Sequence, residues 1–402
     1  MLVFVEHRFY GHSLPYGNLS FTMPYVETLT VDQALEDYAV FLHWLKSNVS
    51  GAANSPVITF GGSYAGMLSA WMRLKYPQIV TGAIAASAPI RQLVGGDAPC
   101  WTVDERTTFT YFQESPKCVE NIKKSWDVLK KKFETEDGQE WVTEHFSTCV
   151  DMVDSYRTGL FDRLNEGWQM LAMFDYPYAS NQMTPLPEWP VREACKYLKE
   201  NFTDDDQLLD NIYKAISVFY NYSGTLECFA LRRNVMSDRL NWLVQTCGEL
   251  AFRYCSNGTG LSIQQPWDEQ DYFDRCNKHF GTNNTANPFL TNAYGLERIR
   301  NSSNIIFSNG ELDPWFASGI KQDQLRGADP SLAAIDIPKA AHHYDLRAHH
   351  PKDTQEIIKV RAQMKKIVHG WLWDHEKSGS GLHCNSCLTC VVSLFIWCLF
   401  CW

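Results

Sequence analysis

One serine stands in a run of small residues, Phe60-Gly61-Gly62-Ser63-Tyr64-Ala65-Gly66, directly after the apolar stretch Pro56-Val57-Ile58-Thr59-Phe60 and ahead of a helical stretch. A serine on a sharp strand-to-helix turn holds its hydroxyl above the sheet, and the N–H of the next residue helps to bind a developing oxyanion. Ser63 is therefore the candidate nucleophile and the Tyr64 N–H the candidate oxyanion donor. A serine hydroxyl is a weak nucleophile. It needs a base, and the base needs a group that fixes its tautomer. When the nucleophile sits on such a turn, the acid and then the histidine follow on loops after later strands. Asp313, in Ser308-Asn-Gly-Glu-Leu-Asp-Pro-Trp315, and His342, in Ala340-Ala-His-His-Tyr-Asp345, stand in those places. Glu311 competes as the acid and ranks below Asp313, because Pro314 stiffens the loop just after the aspartate. His343 competes as the base, whereas His349 and His350 lie too far towards the next helix. Gly61 fits the close approach of strand and helix at such a turn, but Ala65 occupies the second position at which glycine is usual.

Those groups need a frame, and the first ninety residues supply its rhythm. The run Leu2-Val3-Phe4-Val5 reads as a strand. A helix follows from Thr30, where Thr30-Val-Asp-Gln33 reads as a capping box, and its apolar face continues through Leu35, Tyr38, Leu42 and Leu45. The elbow strand comes next, then a helix from Tyr64 to Tyr76 that stops at Pro77, then the buried strand Ala83–Ala88. This alternation predicts a parallel sheet covered on both faces. From about 95 to 295 helical patterns such as Asn121–Phe133 and Leu208–Tyr220 dominate. The sheet resumes at Asn304–Ser308 and Ala333–Ile337, and a last helix is expected over Asp353–Trp373. The expected fold class is α/β, an α/β-hydrolase with an inserted helical cap. Its domains are 1–94 with the elbow, 95–295 as the cap, 296–377 with acid and base, and 378–402 as a tail belonging to neither. Met1 opens directly onto the first strand, so no signal peptide is read. That strand takes the fourth place of the hydrolase sheet, so the reading expects the earlier strands, and the loop bearing a second oxyanion donor, to be missing and one sheet edge to be uncovered.

Composition narrows the partners. The chain has 402 residues, 45% apolar and 20% charged, with a net charge of -10, which fits a well-cored globular protein and argues against nucleic acid or an anionic membrane surface. Eight cysteines, Cys100, Cys118, Cys149, Cys195, Cys228, Cys247, Cys255 and Cys276, form an even set without close metal-ligand pairs and suit disulfides, with free buried thiols as the other reading. Seven glycosylation acceptors, Asn18, Asn48, Asn201, Asn221, Asn257, Asn283 and Asn301, point to the secretory pathway. No metal or other cofactor is expected. The tail carries Cys384, Cys387 and Cys390 beside His383, an incomplete zinc set, and its apolar end at 388–402 is too short to span a bilayer. A spurious or alternative C-terminus is preferred there over a glycolipid-anchor signal.

Five segments carry a family resemblance: Glu6-His-Arg-Phe-Tyr-Gly-His-Ser-Leu-Pro15, Phe60-Gly-Gly-Ser-Tyr-Ala-Gly-Met-Leu-Ser-Ala-Trp71, Asp175-Tyr-Pro-Tyr-Ala-Ser-Asn181, Ser308–Trp315 and Ala341-His-His-Tyr-Asp-Leu-Arg347. Over about 1–375 the chain resembles the prolyl-specific serine peptidases of the lysosome, and Tyr222-Ser-Gly and Cys195-Lys-Tyr-Leu-Lys lean towards the carboxypeptidase branch. Ala65, and a longer connection between acid and base than expected, depart from the family pattern. The resemblance implies Ser63, Asp313 and His342 as the triad and a lysosomal or secreted location. It also implies peptide substrates with proline at the cleavage site and the disulfides Cys100–Cys255, Cys118–Cys195, Cys149–Cys228 and Cys247–Cys276, where sequence alone leaves about 105 connectivities open. Met67, four residues after the nucleophile, and Trp315, two after the acid, are expected to form the proline pocket, since a thioether and a flat aromatic suit a pyrrolidine ring. Core packing is the other reading of both. The expected reaction is release of a C-terminal residue after proline. Release of an N-terminal dipeptide, lipid-ester hydrolysis and a non-catalytic form are the alternatives, and homodimerisation stays open.

Overall fold

The computed structural model describes residues 1–231, 237–281, 284–379 and 392–397. Its first strand, β1 (Leu2–Glu6), is followed by α1 (Val31–Asn48), β2 (Val57–Gly62), α2 (Tyr64–Lys75) and β3 (Gly82–Ala86). The Thr30 side chain caps α1 by accepting from the Gln33 N–H at 3.2 Å, which satisfies one of the amides a helix start leaves open. Ala34, Leu35, Tyr38, Leu42 and Leu45 then face inward at helical spacing. Each fully buried leucine of that stripe contributes about 1.5–3 kcal/mol relative to exposure.

Between β3 and the return of the sheet the chain is mainly helical. It forms α3 (Thr102–Glu114), α4 (Pro116–Lys132), α5 (Glu136–His145), α6 (Arg157–Met173), the short pair β4 (Ser180–Asn181) and β5 (Pro185–Leu186), and α7 (Pro190–Cys195). After these come α8 (Asp205–Tyr220), α9 (Ser237–Cys247), α10 (Glu269–Phe280), α11 (Phe289–Tyr294) and α12 (Leu296–Arg300). Four disulfides tie this region: Cys100–Cys255, Cys118–Cys195, Cys149–Cys228 and Cys247–Cys276. The bridge separations of 155, 77, 79 and 29 residues close long loops, and closure of long loops restricts the unfolded chain most. Asn18, Asn48, Asn201, Asn257 and Asn301 are exposed. Asn221 is half-buried, its side-chain oxygen accepting from the Leu226 N–H at 2.8 Å. Asn283 lies outside the described residues.

The sheet is completed by β6 (Ile305–Gly310) and β7 (Ala333–Ile337), and α13 (Gln355–Gly379) follows. All pairings in it are parallel, in the order β1-β8-β2-β3-β6-β7, where β8 is Val392–Trp397. β3 and β6 are buried along their whole length, as expected for parallel strands covered on both faces. No described helix is long and apolar enough to cross a membrane.

One expectation is corrected. The segment 378–402 is not an appendage to the sheet, because β8 (Val392–Trp397) lies within it, paired with β1 from Leu2↔Ser393 to Glu6↔Trp397 and with β2 from Val57↔Val392 to Phe60↔Phe395. The physical reason is visible in Val-Ser-Leu-Phe-Ile-Trp, a short β-prone, mainly apolar run too brief for a membrane but of ordinary length for a sheet strand. β1 forms the sheet edge, with Leu2 and Phe4 exposed. The tail cysteines Cys384, Cys387, Cys390, Cys398 and Cys401 lie outside the described residues.

Candidate active site

The turn from β2 into α2 has the geometry that a protruding serine requires. Ser63 sits at φ 60 and ψ -129, a backbone conformation rare for residues with a side chain, and its N–H is anchored to the Ala86 carbonyl at 2.9 Å. Neighbouring glycines make room for the turn. A Cβ on Gly61 would come within 1.9 Å of the Ala65 carbonyl oxygen, and one on Gly66 within 2.8 Å of the Ala86 oxygen. The second close approach therefore falls on Gly66, and Ala65 is accommodated without it. Tyr64 opens α2, at the positive end of the helix dipole beside the Ser63 hydroxyl.

β6 delivers the acid. Asp313 follows its end in a tight loop whose N–H bonds the Gly310 carbonyl at 3.1 Å, and the aspartate is fully buried. One carboxylate oxygen, Oδ1, accepts from the Trp315 N–H at 3.0 Å. The other, Oδ2, meets His342 Nδ1 at 2.7 Å. That contact orients the imidazole and places the Nδ1 proton against the carboxylate, so that Nε2 is left to accept. His342 Nε2 is buried and has no hydrogen-bond partner among the described residues. Ser63 and His342 Nε2 are not hydrogen-bonded to each other here, a gap common in catalytic pairs before substrate binds.

The rival residues point elsewhere. Glu311 Oε2 accepts from the Lys339 N–H at 3.2 Å. His349 is exposed, and the His350 ring packs on Tyr178 with centroids 4.1 Å apart. His343 adopts φ 37, donates its N–H to Ser87 Oγ at 2.8 Å, and lays its ring where a Cβ on Gly62 would stand. The His343 ring is thereby seated on the residue preceding the nucleophile. Burial, with His342 and Arg347 nearby, holds the His343 pKa well below the ordinary histidine value.

Sequence reasoning missed the grip on His342. Its N–H donates to the Met173 carbonyl at 3.1 Å, and its own carbonyl accepts from the Tyr176 hydroxyl at 2.9 Å. Both partners come from the end of α6 and the loop after it. The Asp175-Tyr-Pro-Tyr segment had stood out, but nothing in its residue types announces a contact 166 positions away. Met67 and Trp315, the expected pocket residues, are both buried in the main core. Trp315 belongs to a series of rings that runs from the elbow to the acid loop. Tyr64 and Trp242 stand 5.7 Å apart, Trp242 and Phe252 6.1 Å, Phe252 and Trp315 5.5 Å, and Trp315 and Tyr254 5.5 Å.

Residues 1–364 match the family described as Serine carboxypeptidase S28. The chain is 38% identical over 387 residues to the lysosomal Pro-X carboxypeptidase of Homo sapiens, covering 95% of this chain and 77% of that protein. It is 41% identical over 379 residues to the lysosomal Pro-X carboxypeptidase of Mus musculus, covering 93% and 76%. The thymus-specific serine protease of Mus musculus is 26% identical over 401 residues, covering 94% and 76%.

Proposed function

The chain belongs to the serine carboxypeptidase S28 family, and on that premise we propose that it cleaves peptides on the carboxyl side of proline and releases the C-terminal residue that follows. The single observation that carries the reaction class is the buried 2.7 Å contact between Asp313 and His342, on loops beyond the Ser63 turn. Proline preference and a lysosomal location rest on the names of the relatives at 38% and 41% identity.

In this mechanism Ser63 Oγ attacks the carbonyl carbon of the proline residue while His342 Nε2 takes the hydroxyl proton. Asp313 stays ionised and stabilises the imidazolium through Nδ1. The charge that develops on the former carbonyl oxygen is met by the Tyr64 N–H, at a helix start. The tetrahedral intermediate collapses, the C–N bond breaks, and the departing amine takes the proton from Nε2. Water then repeats the sequence on the acyl-enzyme: Nε2 takes its proton, the Ser63 ester bond breaks, and Oγ recovers its proton. The Trp315 ring, with Phe252 beside it, offers an apolar aromatic wall of the kind that suits a pyrrolidine ring.

A single peptide tests the reading if proline is both its second and its penultimate residue. Mass spectrometry should show loss of one C-terminal residue with the N-terminus intact. Release of an N-terminal dipeptide instead would overturn the carboxypeptidase assignment. A turnover of lipid esters far above that of the peptide would move the protein to another class of hydrolase.

A further inference from the structure

The hydroxyl of Tyr64 lies in a chain of buried hydrogen bonds assembled from three distant segments. Tyr10 OH donates to Gln245 Oε1 at 2.7 Å, Gln245 Nε2 donates to Tyr64 OH at 2.7 Å, and Tyr64 OH meets His7 Nε2 at 3.1 Å. His7 Nδ1 faces the Arg8 carbonyl at 2.6 Å. Tyr10, Gln245, Tyr64 and His7 are each at most 1% exposed. The loop after β1 supplies His7 and Tyr10, the elbow supplies Tyr64, and α9 supplies Gln245. The Asn241 side chain, one turn earlier on α9, also donates to the Phe9 carbonyl, so α9 is fastened to this loop twice.

The proton positions follow from the partners. A carbonyl can only accept, so His7 Nδ1 carries the proton. In a neutral imidazole Nε2 must then accept, and Tyr64 O–H donates to it. The Tyr64 oxygen is left to accept from Gln245 Nε2, which turns Gln245 Oε1 towards Tyr10. Reversing Gln245 would require His7 to donate from both nitrogens and so to be charged. Burial opposes that and lowers the His7 pKa to about 4. The chain of bonds therefore has one direction, from Tyr10 to the Arg8 carbonyl.

We propose that Gln245, His7 and Tyr10 are positioning residues for catalysis: by clamping the far end of the Tyr64 side chain they set the place of the Tyr64 N–H beside Ser63, so that helix α9 aligns the oxyanion donor. The inference rests on the reading of Ser63 as nucleophile and Tyr64 as its oxyanion donor. Physically it needs only a lever. Tyr64 is fixed at its backbone by the strained turn and at its hydroxyl by two partners, and the Trp242 ring of α9 lies 5.7 Å from its ring. Releasing the hydroxyl lets the ring and the first turn of α2 shift together. Misplacement of about 1 Å at a catalytic group can lower a rate roughly 10²-fold.

The test uses Tyr64→Phe, Gln245→Met and the double variant, each with its active sites counted by titration with an organophosphonate. A positioning role predicts that kcat per titrated site falls about tenfold to a hundredfold with KM within about twofold, because only the transition state carries the oxyanion. Affinity for a boronic-acid inhibitor, which presents a tetrahedral oxyanion, should fall by the same factor. The double variant should be no worse than the more severe single one, since both break one chain of bonds. A lower titratable fraction with unchanged kcat per site would overturn the proposal and leave these residues a folding role alone, and so would independent, multiplying losses. Should Gln245→Met fail to fold, Tyr64→Phe, which removes one oxygen, carries the kinetic test. Ser63→Ala separates the underlying reading: if that variant still reacts with the phosphonate, the nucleophile assignment fails whatever the relay does.

Discussion

Replacing Asp313 by asparagine should damage the enzyme through a proton rather than through shape. Asp313 has two partners with fixed roles: its Oδ1 accepts from the Trp315 N–H at 3.0 Å, and its Oδ2 faces His342 Nδ1 at 2.7 Å. An asparagine in the same place must keep its oxygen on the Trp315 N–H, because a backbone amide can only donate. Its NH2 group then points at Nδ1 and makes that nitrogen the acceptor, which moves the imidazole proton to Nε2. A protonated Nε2 cannot take the Ser63 proton. Loss of the correct tautomer in such a triad costs about 10⁴ in kcat, or about 5.5 kcal/mol of transition-state stabilisation. Asp313→Ala leaves Nδ1 free to keep its proton and should be no more damaging than Asp313→Asn. The assay is kcat on a proline-containing peptide, divided by the titrated active-site concentration, for the wild type and both variants. If Asp313→Asn keeps more than about a tenth of the wild-type value, the carboxylate does not set the tautomer and the reasoning fails.

Trp315→Ala should raise KM for a proline substrate more than for its alanine counterpart, and equal losses on both would mean that the ring only supports the fold. Burial raises Asp175 to about 7, against the opposing Val191 N–H bond. A carboxyl raised in the folded state gives stability that is full below its unfolded value near 4 and is lost as pH rises through about 7. Glu249, also raised to about 7 by burial, acts in the same direction, while His7, lowered to about 4, opposes both between about pH 6.5 and 4. Asp175→Asn should therefore flatten the fall in Tm between pH 4.5 and 7.5, and a variant whose Tm tracks the wild type across that range would refute the assignment. Ending the chain at Lys377 removes β8, the one described strand paired with β1, and should expose residues 2–30 to early proteolysis. Unchanged protease resistance and melting would show that β1 does not depend on β8.

The candidate nucleophile, acid and base could be chosen from the sequence because each depends on local chemistry and on order along the chain. A glycine-flanked serine between an apolar run and a helix constrains its own backbone, and acid and histidine follow later strands. Choosing Asp313 over Glu311 rested on Pro314 and the family resemblance, and choosing His342 over His343 on loop position and that resemblance; the 2.7 Å contact between Asp313 and His342 is a fact of tertiary packing. Ala65 looked like a defect until the backbone placed the second close approach at Gly66. β8 could not be recognised because a six-residue run, apolar but for Ser393, carries no period that separates a sheet strand from any other greasy run, and its partner β1 lies at the opposite end of the chain. The relay through His7, Tyr64 and Gln245 was hidden for a related reason. His7 and Gln245 are polar residues of ordinary type, 238 positions apart, that acquire meaning only when the fold buries them around one hydroxyl.

The central claim is that Ser63 is the nucleophile of a serine peptidase, and covalent capture tests it most directly. The protein is treated with an organophosphonate, digested, and the adduct located by tandem mass spectrometry, alongside Ser63→Ala with its circular dichroism checked. The account predicts one adduct per molecule, on Ser63, and none on the variant, whose spectrum stays that of the wild type because only Oγ is lost. An adduct on another residue, or undiminished labelling of Ser63→Ala, would contradict it.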